Sequence, residues 1–464
     1  MSVGRVKAFL QQEVDVYAFY RRMGVFAVLL VALALSWGAT QGSVVLEPSR
    51  ADAGQYILSA WNLKSHGVYS RSQDGLREGT VPEPDAARTP GYPLFLFPFL
   101  GRELNADFIP QVQTAQSLLV GGSVLLTFLL FRLFMPYAFA LGAAGLTAIS
   151  PHLANSAIYL LTESLFAFMV VLSLYLLAWL IRRPGLMLAT ACGLALGYGA
   201  LVRPSLQFLP LFVIPVLWLY LPRPNRLRVL GMLAAAYLAV YGAWGVRNLA
   251  SIDQWSDPTP AAATVQHGMY PDMMYDDDPE SLGVAYDYDP ANERIAGDMK
   301  AVLAELWGRA SDSPIEYLRW YLVGKPLVFW QWDIIAGMGD VFIYPTIISP
   351  YRLLWPFKTS HWIAFWLHWP AVFLAALGCI LAFVPRVGQG DGRKAAMAQL
   401  VSVTLIYFTL LHMVGAPYPR YSIPLRPELF GMAVFAGWVV WSRFLSNLSL
   451  VQELRQRYGG KAPG

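Results

Sequence analysis

The chain is poor in cysteine, in histidine and above all in charge. Of its 464 residues, two are Cys, six are His and only 14% are Asp, Glu, Lys or Arg, against roughly 25% charged residues in a soluble domain. Cys192 and Cys379 each sit inside an apolar run without ligand neighbours at metal spacing, which leaves neither a disulfide framework nor a zinc site. His152, His361, His368 and His412 lie near apolar stretches, and none has a partner by spacing. This argues against acyl or phospho transfer through a histidine nucleophile or base. The basic residues come in scattered pairs and the net charge is +4, so there is no continuous basic face of the kind nucleic acid requires. No repeat of about 20 to 50 residues is visible. The inverted symmetry and mid-membrane ionisable groups of a secondary transporter are likewise not seen. A transporter or a flippase-like lipid-binding protein is the competing reading at this stage.

What is plentiful is apolar. Hydrophobic residues make up 56% of the chain, with 16 Trp and 24 Tyr, and the mean hydropathy is +0.44. Trp and Tyr favour the boundary between lipid and water. Stretches of about 17 to 25 apolar residues mark membrane spans. Seven are clear: Met23 to Ala39, Thr114 to Phe134, Ile158 to Ile181, Gly231 to Val246, Trp362 to Val384, Ala396 to Val414 and Leu429 to Trp441. Tyr137 to Ile149, Leu186 to Val202 and Leu206 to Leu221 are shorter. The expectation is an all-α polytopic membrane protein with about ten transmembrane helices.

Orientation follows from Lys and Arg in short loops. Arg5, Lys7, Arg21 and Arg22 precede the first run, and no small-x-small cleavage site follows Ala39, so that run reads as an uncleaved span. With the N-terminus inside, the inner connections carry Arg132, Arg182 with Arg183, Arg223 with Arg226 and Arg228, and Arg386 with Arg393 and Lys394. The tail adds Arg443, Arg455, Arg457 and Lys461, next to an Asn447-Leu448-Ser449 sequon read as chance. Two long segments then face outward, Gln41 to Gln111 and Asn248 to His361. The chain divides into a transmembrane module at 1–250 with its first outer loop at 41–111, an outer loop region at 251–361, and C-terminal helices with a tail at 362–464.

The first outer segment contains Ser49-Arg50-Ala51-Asp52, then Tyr56, Ala60 and Leu63 on one face of an amphipathic helix ending near Gly67. Ser49 followed by Asp52 reads locally as a capping-box-like helix start. Arg88-Thr89-Pro90-Gly91-Tyr92-Pro93 is a rigid turn at a membrane edge. Ser150-Pro151-His152 follows, then Thr162-Glu163 inside a long apolar run, where a carboxylate must face protein or a wet cavity. Helix-to-helix hydrogen bonding and function are both open for Glu163. Arg203, Arg247, Lys325 and Arg420 with Tyr421 fall on the outer side, where a lone arginine often only snorkels. The second outer segment opens with Asp276, Asp277, Asp278, Asp287 and Asp289, an oxygen-rich run that admits a divalent ion. It turns helical at Ile295, Met299, Val302 and Leu306, giving a small folded layer on the membrane.

In order and placement, Asp52 with Tyr56, Arg88-Thr89-Pro90-Gly91-Tyr92-Pro93, Thr162-Glu163-Ser164, Arg203-Pro204 and Arg247-Asn248 resemble the GT-C superfamily of polytopic glycosyltransferases. The likeness is to the mannosyltransferase-like group related to protein O-mannosyltransferases and aminoarabinose transferases, and covers roughly residues 20–250. It implies a GT-C-like fold with an outer catalytic cavity and a sugar donor on polyprenyl phosphate. A glycan, lipid or protein would supply an acceptor hydroxyl, with inversion at the anomeric carbon. Asp52 becomes the catalytic base, and Tyr56, Arg88, Tyr92, His152, Glu163, Arg203, Arg247, Lys325, Arg420 and Tyr421 the substrate-binding set, with no metal ligand assigned. The family's second acid near the first is not here, since Gly54 and Gln55 follow Asp52. The resemblance further implies a bacterial inner membrane, contact with its lipids and a periplasmic site.

Overall fold

The computed structural model describes residues 3–101, 103–384 and 392–443. Arg386, Arg455, Arg457, Lys461 and the Asn447 sequon lie outside the described residues, as do the side chains of Arg5, Lys7 and Arg443. Seven helices are long and apolar enough to cross a membrane: Ala18–Gly42, Ile109–Arg132, Glu163–Arg182, Arg223–Ile252, Trp355–Leu381, Gly392–Val414 and Pro419–Ser442. Tyr137–Ala148, Leu186–Val202 and Pro204–Tyr220 are shorter apolar helices. Together they occupy the ten expected stretches. At ~1.5 Å per residue, a dozen residues reach only about 18 Å, well short of a ~30 Å hydrocarbon layer. Tyr137–Ala148 is therefore wedged between longer neighbours, and its Ala144 and Ala148 let it close on Ala32 and Val124.

The expected span from Ile158 is corrected: the helix begins at Glu163. Ser150 caps a separate short helix, Pro151–Ser156. Beyond it the backbone leaves helical hydrogen bonding because side-chain amides of another helix capture its carbonyls. Gln116 Nε2 donates to the carbonyls of Ala157 and Tyr159 at 3.0 and 2.8 Å, and Gln113 Nε2 donates to that of Ile158 at 2.8 Å. Glu163 thus sits in a first helical turn, where unpaired N–H groups favour a carboxylate.

Val44–Val45 pairs antiparallel with Thr346–Ile348, in the register Val44 to Ile348 and Val45 to Thr346. This ribbon ties the two long segments together at one end of the bundle. The second segment has its own small core of Met269, Tyr270, Ala285, Ile295 and Val302. Its expected continuous helix breaks at Gly297, φ +79°, and restarts at Met299, where the Asp298 carboxylate accepts from the Lys300 and Ala301 amides. Two aspartates of the acidic run are spent on structure: Asp289 accepts from Tyr270 Oη at 2.7 Å and pairs with Arg309 at 2.6 Å, while Asp278 caps Glu280. Among the described residues, no three His, Cys, Asp or Glu side chains are placed to hold a metal ion.

Candidate active site

The Asp52 helix runs Ala51–His66 and ends at Gly67 in the left-handed conformation, φ 69°. Its start differs from the capping-box expectation. The N-cap is Arg50, with no side-chain cap hydrogen bond. The chain turns in sharply through Ala51, φ +48°, and a β-carbon at position 54 would collide with the Ser49 carbonyl oxygen. Asp52 is therefore free of capping duty, and its two oxygens accept from two arginines of distant segments.

Arg88 Nη2 donates to Asp52 Oδ1, and Arg420 Nη2 donates to Oδ2 at 2.5 Å. Arg88 is oriented from three sides. Its Nε donates to Gln55 Oε1 at 2.8 Å, its guanidinium lies 5.6 Å from the Tyr56 ring centroid, and its carbonyl accepts from Tyr69 Oη at 3.0 Å. The Pro-Gly turn after it has a packing reason. A β-carbon at Gly91 would strike the backbone of Leu201 and Val202, so this glycine seats the turn directly on the end of the Leu186–Val202 helix. Tyr198 Oη donates to the Gly91 carbonyl at 2.9 Å and locks it there.

That docking brings Arg203 to the same cluster. Arg203 Nη2 donates to Glu163 Oε1 at 2.7 Å, and its guanidinium lies 5.1 Å from the Tyr421 ring. Glu163 Oε2 and Tyr344 Oη are buried, and neither has a hydrogen-bond partner. Tyr92 packs edge-on to Tyr56 at 5.2 Å and donates to Gln116 Oε1 at 2.8 Å, joining this floor to the captured loop before Glu163. Three guanidinium groups, Arg88, Arg203 and Arg420, face two carboxylates, Asp52 and Glu163. The surplus of one positive charge in a half-dry site favours a bound anion.

Burial pushes the Asp52 carboxyl up, but Arg420 and Arg88 more than offset it and hold it down at about 2. Burial pushes the Tyr56 phenol up to about 12. Both groups are fixed in one state near neutrality, Asp52 as carboxylate and Tyr56 as phenol.

The structure thus gathers Asp52, Tyr56, Arg88, Tyr92, Glu163, Arg203, Arg420 and Tyr421, and places three other expected residues elsewhere. His152 is buried against Trp332, with Nε2 2.8 Å from that residue's carbonyl oxygen. Lys325 donates to the carbonyls of Met413 and Gly415, both at 3.0 Å, satisfying acceptors left open at the end of the Gly392–Val414 helix. Arg247 donates to the carbonyls of Asp85 and Tyr69 at 2.7 and 2.9 Å. Backbone carbonyls have taken the donors that the sequence reading reserved for phosphate. Gln55 and Tyr344 were missed. Gln55 reads locally as the loss of an acid, and Tyr344 reaches the cluster only through the ribbon that follows it.

No family model matches the chain, and no curated protein does. Solved structures match in shape. The oligosaccharyltransferase AglB of Archaeoglobus fulgidus, in complex with an inhibitory peptide and a dolichol-phosphate, superposes with a TM-score of 0.51 at 12% identity, covering 96% of this chain and 53% of that one. The A. fulgidus oligosaccharyltransferase tethered to an acceptor peptide containing the NVT sequon gives 0.50 at 13% identity, covering 96% and 52%. ArnT from Cupriavidus metallidurans, bound to undecaprenyl phosphate, gives 0.35 at 16% identity, covering 84% and 76%; the fold assignment rests on the first two. The chain spans about half the length of those two structures. This multi-pass membrane chain shares the fold of these oligosaccharyltransferase structures over the half of their length that it spans.

Proposed function

We propose that the chain is a glycosyltransferase that moves a sugar from a polyprenyl-phosphate donor to a hydroxyl acceptor at the ribbon-tied end of the bundle, with inversion at the anomeric carbon. The observation that carries the reading is the Asp52 carboxylate held between Arg88 and Arg420 in a cluster of net positive charge. Transfer needs one group to take the acceptor proton and fixed cations to meet the charge developing on the departing phosphate. Asp52 supplies the first, Arg420, Arg88 and Arg203 the second. As it stands, Asp52 is a weak proton acceptor, because both arginines stabilise its charge. A phosphate engaging Arg420 and Arg88 competes for the same donors, so arrival of the donor raises the basicity of Asp52. The lipid-facing end of such a donor suits a bacterial inner membrane, with this end of the bundle toward the periplasm.

The test is transfer of radiolabelled sugar from a polyprenyl-phosphate donor in proteoliposomes, comparing wild type with Asp52→Asn. Asparagine keeps the shape and removes the base, so a rate loss of roughly 10² to 10⁴ is expected with donor binding retained. Normal turnover in Asp52→Asn would pass the role of base to Glu163, whose Oε2 is unpartnered.

A further inference from the structure

Along the Asp52 helix lies a cavity of about 810 Å³ that, of the residues gathered around Asp52, Gln55 alone lines. Its walls are Ser49, Gly54 and Gln55 on one side and Ser70 to Asp74 with Glu83 to Asp85 on the other. Its size falls within the roughly 300 to 1,000 Å³ of small-ligand clefts. We propose that this cleft is the acceptor site and that it takes a saccharide, whose hydroxyl is the group glycosylated. The proposal rests on the reading of Asp52 as the base.

The cleft is built. Asn62, fully buried, donates through Nδ2 to the carbonyls of Ser70 and Ser72 at 2.8 and 2.9 Å. Arg247 holds the carbonyls of Tyr69 and Asp85, and the Asp85 amide donates to the Tyr69 carbonyl at 3.1 Å. The Asp85 carboxylate takes the Arg71 amide at 2.7 Å. Two strong side-chain donors are thus spent on fixing the shape of one wall, which gives Arg247 a purpose that phosphate binding does not.

Its chemistry selects among acceptors. Leu58, Ala51 and Pro84 are its few apolar contributions, against serines, glutamines and charges of both signs. That excludes a lipid tail, which would need apolar walls, and three carboxylates against two arginines disfavour a phosphate-rich acceptor. Closely spaced donors and acceptors suit a neutral polyhydroxyl ring. The cleft also borders the chemistry. Gln55 lines it and accepts from Arg88, which in turn donates to Asp52, so two side chains link the cleft to the base and a bound saccharide must extend past them to present its hydroxyl. In transfer, the acceptor oxygen bonds the anomeric carbon, the bond from that carbon to the phosphate oxygen breaks, Asp52 takes the hydroxyl proton, and polyprenyl phosphate leaves with the electron pair.

The experiment measures binding of a neutral oligosaccharide panel, a serine- and threonine-containing peptide panel and decaprenyl phosphate to purified full-length protein in nanodiscs. Ser49→Trp and Gln73→Trp fill the cleft from exposed positions, and Glu78→Trp is the exposed control outside it. At least one saccharide should bind wild type and Glu78→Trp alike and lose tenfold or more in both filled variants, with decaprenyl phosphate binding unchanged throughout. Decaprenyl phosphate binding without any saccharide binding, equal saccharide binding in the filled variants, or peptide binding displaced by the tryptophans would each overturn the inference. Loss of decaprenyl phosphate binding from wild type itself would instead sink the reading of the Asp52 cluster.

Discussion

Asp52 and Arg420 are separated by 368 positions in the chain, yet Arg420 Nη2 lies 2.5 Å from Asp52 Oδ2. The contact joins the first outer segment to the first turn of the last span, so the carboxylate and its counter-ion come from distant parts of the sequence.

That arrangement separates binding cations from structural ones. Arg420→Ala and Arg88→Ala should each weaken decaprenyl phosphate binding at least tenfold, since either removes charge from the site. Lys325→Ala should leave that binding within about twofold and lower stability by about 1 to 3 kcal/mol, the cost of unsatisfied buried acceptors. Titration of the three purified variants, with thermal melts alongside, decides between them. A large loss of binding in Lys325→Ala alone would return that lysine to the phosphate site.

Acid stability carries the signature of the Asp52 pair. Its carboxyl is depressed from the ordinary 3.8 to about 2, so the native state binds fewer protons than the unfolded chain in that interval. The stabilisation is fully present above about pH 4 and is lost as pH falls toward 2. Two units correspond to about 2 to 3 kcal/mol. Asp52→Asn should flatten the acid limb of stability against pH by that amount, measured by thermal melts in detergent, while leaving the neutral range nearly level. An unchanged acid limb would show that the pair does not form in solution.

Gly91 offers a test of how the turn positions Arg88. A β-carbon there meets the Leu201 and Val202 backbone, which cannot move aside as a side chain can. Gly91→Ala should cost about 1 to 3 kcal/mol of stability and lower transfer, because Arg88 shifts with the turn. Gly79, with φ +75° and open space around it, serves as control: its alanine variant should cost stability through backbone strain but spare transfer.

The order of spans, the helix ending at Gly67 and the shared face of the two long segments were legible in the sequence. Hydropathy, helical periodicity and the parity of crossings are all local or additive. Asp52, Arg88, Glu163 and Arg203 were legible only through resemblance, since each alone reads equally well as a cap, an anchor or a snorkelling cation. The start of the Glu163 helix was not legible at all. It depends on Gln113 and Gln116, two glutamines of another span, reaching the carbonyls of residues 157 to 159.

The sequence by itself determined the solvent of this protein: an apolar, charge-poor chain has no stable place except a bilayer, with helices as its spanning elements. It also set the expectation of which charged residues fall at which end of the bundle. Only the tertiary structure decided which of those charges meet. Arg88, Arg203 and Arg420 found carboxylates while Arg247 and Lys325 found carbonyls, because partner choice depends on atomic distance across segments. Spacing along the chain carries no information about that distance.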